Sequence, residues 1–91
     1  MYAVVVRETG DPALIDASAG AVTANVAPRV RQAPGFVSAI WMSDGAGGTL
    51  NVIAFASEDA ARAALDAART SPRPPFLQVA GVELLRVLAT A

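Results

Sequence analysis

Cysteine and histidine are both missing from this 91-residue chain. Their absence rules out a disulfide, a thiolate nucleophile, a Cys/His zinc site, a Ser-His triad and a histidine-ligated haem. No metal site and no cofactor is expected, and any chemistry must use Asp, Glu, Tyr, Ser, Asn, Trp or Arg. Lysine is missing as well: all seven basic residues are arginine, set against eight acidic ones for a net charge of -1. That balance leaves no basic stripe for nucleic acid. Nor is there a long hydrophobic run at the N-terminus. The apolar stretch Tyr2 to Glu8 has no cationic region before it and is too short for a signal peptide or a membrane span. The expectation is a cytoplasmic protein with no membrane partner.

What is present is apolar side chain, 54% of the residues. A monomer of this length buries only roughly 60–65% of the surface its unfolded chain exposes. A core that thin has trouble hiding the Val, Ile and Leu runs, so the composition points to self-association.

The most ordered stretch is Pro34 to Ser57. Phe36 to Met42 and Thr49 to Phe55 are strand-forming runs, and Ser43-Asp44-Gly45-Ala46-Gly47-Gly48 between them is a turn, which makes a hairpin. Its glycines do not make a phosphate loop, because the Lys and Ser/Thr positions are unmatched and the loop joins two strands. Before the hairpin, Tyr2 to Glu8 reads as a strand covered on both faces, closed by a Thr9-Gly10-Asp11-Pro12 loop. Val22, Val26, Val30 and Ala33 then recur at helical spacing, predicting a helix over Asp16 to Ala33 that Pro28 kinks or splits. After the hairpin, Ser57 is an N-cap and Glu58 and Asp59 fill the first turn of a second helix, where capping and the helix dipole explain both carboxylates better than a metal does. Ala61, Ala64, Leu65 and Ala68 form its buried stripe. Ser71-Pro72-Arg73-Pro74-Pro75 ends that helix as extended chain, and Val79 to Leu88 is the last strand.

The order βαββαβ predicts an α+β, ferredoxin-like domain over residues 1–91, with one antiparallel sheet and both helices on one face. With a turn at Asp44 to Gly48, Met42 pairs with Leu50, Trp41 with Asn51, Ile40 with Val52 and Ala39 with Ile53. One hairpin face then carries Phe36, Ser38, Ile40, Met42, Leu50, Val52 and Ala54, and the other Val37, Ala39, Trp41, Asn51, Ile53 and Phe55. Both are apolar, whereas a wetted face would alternate to polar residues. The expectation is that the helices cover the first set and a second copy of the chain covers the second. Arg7, Glu83 and Arg86 fall on the first and last strands, expected to be central, as anion ligands or as an ion pair.

Ala33-Pro34-Gly35-Phe36 entering the hairpin and Phe55-Ala56-Ser57-Glu58-Asp59-Ala60 leaving it, within a βαββαβ chain of this length, resemble the dimeric α+β barrel superfamily and its antibiotic-biosynthesis-monooxygenase-like domains. The resemblance implies a homodimer whose sheets face one another around a barrel, with a pocket in each subunit. Monooxygenases of that family use an Asn-x-x-x-Trp pair on the third strand and a Tyr or His on the next helix. Asn51-Val52-Ile53-Ala54-Phe55 keeps the Asn and has Phe in place of Trp, and the following helix offers alanines and Leu65. The resemblance therefore makes Asn51 the catalytic candidate, a hydrogen-bond donor to a substrate carbonyl or enolate oxygen. Trp41, Ile53 and Phe55 are candidates for binding an apolar or phenolic small molecule. The function implied is cofactor-independent oxygenation. The alternative is a non-catalytic ferredoxin-like module for ligand binding or dimerisation, and cavity volume discriminates between them.

Overall fold

The computed structural model describes residues 1–91. Four strands, β1 (Tyr2–Gly10), β2 (Phe36–Ser43), β3 (Gly48–Phe55) and β4 (Leu77–Arg86), form one antiparallel sheet in the order β2-β3-β1-β4. This is the ferredoxin-like arrangement expected from the element order. β4 is an edge strand rather than a central one, and it starts two residues earlier than expected because Leu77 pairs with Gly10. A side chain at Gly10 would collide with the Phe76 carbonyl, so glycine is what lets the chain pass this close before entering β4.

The first helical region starts earlier than its periodicity indicates. Asp11 caps α1 (Pro12–Ala17), its carboxylate accepting from the Ala13 and Leu14 amides at 2.9 and 3.2 Å, and Pro12 occupies the first turn, where its missing N–H costs nothing. α2 (Ala19–Ala21) follows, then a π-turn over Val22–Val26, then α3 (Ala27–Arg31) with Pro28 in its first turn. The proline has no N–H for the Ala24 carbonyl and its ring crowds that group, and the wider π-turn just before it absorbs the mismatch. α4 (Glu58–Thr70) begins as expected, with Ser57 Oγ accepting from the Ala60 amide at 3.2 Å and Glu58 pairing with Arg62 at 2.7 Å. Gly35, at φ 75°, turns the chain into β2 where a side chain would strike the Ala60 Cβ.

The hairpin register is the one read from its turn, with Trp41 opposite Asn51 and Met42 opposite Leu50. The assignment of its faces is reversed. The helices cover the side carrying Trp41, Asn51, Ile53 and Phe55, and the core gathers there: Val4, Val6, Phe55, Ala61 and Leu65, with Tyr2, Phe36, Ile53, Val82 and Leu84 packed against them. A β-bulge between Phe36 and Ser38 moves Phe36 onto this side, opposite Phe55. Once Phe36, Phe55 and Trp41 share a face, that face holds the largest apolar volume, and α4 packs its small stripe against it. The other face carries Val37, Ile40, Met42 and Leu85, all more than one third exposed, and the Arg7–Glu83 ion pair at 3.4 Å. No helix is long and apolar enough to cross a membrane.

Candidate functional site

Strand alternation places Glu8 in line with Tyr2, Val4 and Val6, on the helix-covered face, and Asn51 beside it on β3, opposite Val6. Both are buried, at 9% and 8% exposure, although each carries polar atoms. Such groups persist in an apolar layer only with partners. Asn51 Nδ2 donates to Glu8 Oε1 at 2.9 Å and Thr49 Oγ1 donates to the same oxygen at 3.4 Å. Arg73 Nε donates to Glu8 Oε2 at 2.7 Å, while its Nη1 donates to the Ser71 carbonyl at 3.1 Å. Arg73 belongs to the proline-rich segment after α4, so this ion pair straps the segment across the end of the sheet. It is the best-buried ion pair in the molecule, its side chains only 17% and 10% exposed. A charge-assisted bond in that setting is stronger than the surface pairs elsewhere on the chain.

Beside this network lies a cavity of about 480 Å³. Its floor is Glu8, Asn51 and Trp41 on the sheet, its roof Ile15, Ala19 and Val22 on the first helical region, and Leu77 stands at its edge. Ser43 Oγ donates to Asp16 Oδ1 at 3.2 Å, joining the end of β2 to α1 at the rim. The lining is half apolar and half polar, with Glu8 and Asn51 on the sheet and Asp16, Ser18 and Thr23 on the first helical region. No three His, Cys, Asp or Glu side chains come together anywhere in the chain.

The structure thus brings Asn51 and Trp41 together in one cavity, as neighbours across two strands. It does not bring Ile53 and Phe55 to that cavity. Phe55 is 2% exposed and fully enclosed by the core, and Ile53 packs against the same cluster, because α4 lies directly over that end of the sheet. The cavity forms further along, where the first helical region replaces α4. Ala61 and Ala64 on α4 likewise belong to the core or its margin. Glu8 and Arg73 are the site residues that sequence reasoning missed. A carboxylate in register with Val4 and Val6 was the available signal for Glu8. The lone charge among prolines marked Arg73, but nothing in the chain said which group it would meet.

Similar architectures are known. A monooxygenase from the gene ActVA-Orf6 of Streptomyces coelicolor, solved with the ligand nanaomycin D, superposes with a TM-score of 0.64 at 20% identity, covering 99% of this chain and 89% of that one. The haem-degrader MhuD from Mycobacterium tuberculosis, with two haems in its active site, gives 0.64 at 21% identity over 98% of both chains. The chain shares their fold. That fold is the ferredoxin-like arrangement implied by the element order. An MhuD point variant with two manganese protoporphyrin IX molecules per active site gives a TM-score of 0.59 at 20% identity, over 98% of this chain and 97% of that one. No protein-family model matches the chain, and no curated protein matches it by sequence.

Proposed function

We propose that this chain forms a homodimeric α+β barrel whose subunit cavity binds an apolar or phenolic small molecule, and that the reaction there is a cofactor-independent monooxygenation. The observation that carries the binding reading is the pocket itself: about 480 Å³, partly open to solvent, beside Asn51 and Trp41. Trp41 offers a flat apolar wall and Asn51 a fixed polar contact, enough to hold an aromatic ring in one orientation. Orientation and exclusion of water are the contributions such a pocket makes to oxidation of an electron-rich ring. The dimer is supported by the uncovered sheet face. Val37, Ile40, Met42 and Leu85 there are too apolar a set to leave in water, and facing a second sheet would bury them. The oxygenation reading draws on the shared fold.

A second reading, ligand binding without turnover, is supported by α4. Its inward positions are alanines and Leu65, so no Tyr or His stands ready to move a proton. One experiment separates the two. Binding of 1,5-dihydroxynaphthalene is measured by calorimetry, and its oxidation by oxygen uptake, for the wild type and Asn51→Ala. Binding with uptake that the variant loses supports the oxygenase. Binding with no uptake supports the second reading, and no binding refutes the pocket.

A further inference from the structure

We propose that Glu8 is a positioning residue that locks the Asn51 amide with its carbonyl toward the cavity, so that the site selects ligands able to donate a hydrogen bond. This rests on the ligand-binding reading above and reverses the donor role expected of Asn51.

Glu8, ion-paired with Arg73, is a carboxylate with acceptor sites only. Asn51 lies 2.9 Å from one of its oxygens and can face it only with Nδ2, since the flipped amide would set Oδ1 against a carboxylate oxygen. The second carboxylate oxygen is held by Arg73 Nε at 2.7 Å, which keeps Glu8 from turning aside. With Nδ2 committed, Asn51 Oδ1 has no partner within the protein. The residue is more than nine-tenths buried and lines the cavity, and no fully enclosed polar atom is left unpaired, so Oδ1 is the atom that reaches the open space. An acceptor that has no protein partner and faces the cavity discriminates once a ligand displaces the water from it. A ligand hydroxyl or N–H satisfies it, whereas a ligand that offers only an acceptor or an apolar edge leaves it desolvated and unpaired.

Glu8→Gln provides the test, because Arg73 still demands an oxygen. The carboxamide introduced by the substitution therefore gives its carbonyl to Arg73 and its N–H to Asn51, and Asn51 turns over to accept it. The cavity then meets Nδ2 in place of Oδ1.

The probes are 1-naphthol, which donates, and 1-methoxynaphthalene, which does not, with affinities measured by calorimetry. The wild type is expected to prefer 1-naphthol about three- to tenfold, the scale of one net hydrogen bond. In Glu8→Gln the preference is expected to fall to about unity. A merely structural role for Glu8 would weaken both probes alike and leave the ratio unchanged, and that result overturns the proposal. Equal binding of both probes by the wild type overturns it too while leaving the pocket intact. Failure of the wild type to bind either probe removes the pocket and this inference together.

Discussion

Replacing Arg73 by Met tests whether the strap across the sheet holds the site together. The substitution keeps most of the side-chain length and removes the charge, leaving the Glu8 carboxylate 10% exposed without its cation. Removing one partner of a buried ion pair costs about 3–5 kcal/mol, because the remaining charge stays desolvated. Asn51 and Thr49 still donate to Glu8, which favours the lower end, about 3 kcal/mol. A chain of this size has roughly 5–13 kcal/mol of total stability, so the loss is a large fraction of it. The assay is urea unfolding followed by circular dichroism and Trp41 fluorescence at fixed protein concentration, since dimerisation would make the midpoint concentration-dependent. With a urea slope of about 1–1.5 kcal/mol/M, the midpoint should fall by roughly 2–3 M. The double variant Glu8→Gln/Arg73→Met should lose clearly less than the sum of its singles, because no buried charge is stranded. A single variant within about 0.3 kcal/mol of wild type would refute the reasoning, for that is what an exposed pair contributes.

Ile40→Lys places a charge at a position 53% exposed in the uncovered sheet face, and light scattering at micromolar concentration should read a dimer for the wild type and a monomer for the variant. A wild-type monomer, or a variant dimer, contradicts that use of the face. Leu65→Ala removes a 7%-exposed side chain between Val4, Phe55 and Ala61, and should cost about 2–5 kcal/mol in the same unfolding assay. Asp44 is held below the ordinary carboxylate range by the Ala46 amide first, at 2.7 Å, and then by the Gly48 amide at 2.9 Å. Its folded pKa lies below the unfolded one, so its support of the turn is complete above the unfolded value and is lost as pH falls through the folded value. Protection of the Ala46 and Gly48 amides, measured against their intrinsic exchange rates, should fall as pH drops through that window. An Asp44 titration by NMR at or above the ordinary value would refute the turn geometry.

Local chemistry specified the hairpin completely enough to give its register. Glycines at the turn, Ser57 after Phe55 and Pro34-Gly35 before Phe36 each act within a few residues, so they are legible without the fold. The same holds for the second helix, where cap, acidic first turn and small stripe agree. The start of the first helix was less legible, because Asp11-Pro12 suits a loop and a helix N-terminus equally well. Of the site, Asn51 and Trp41 were legible as a cross-strand pair. Ile53 and Phe55 share their face, but alternation cannot say where along that face a helix ends and a cavity begins.

What the sequence by itself determined, then, is the element order, the pairing within the hairpin and the absence of Cys and His chemistry, because each depends on residue type or on contacts close along the chain. The tertiary structure alone decided which sheet face the helices cover, since two apolar faces look alike until a bulge brings Phe36 to the side that already holds Trp41 and Phe55. It also decided the polar centre of the cavity. Arg73 and Glu8 are 65 residues apart, and no local rule pairs a charge in a proline-rich segment with one on the first strand; only the burial of both forces them together.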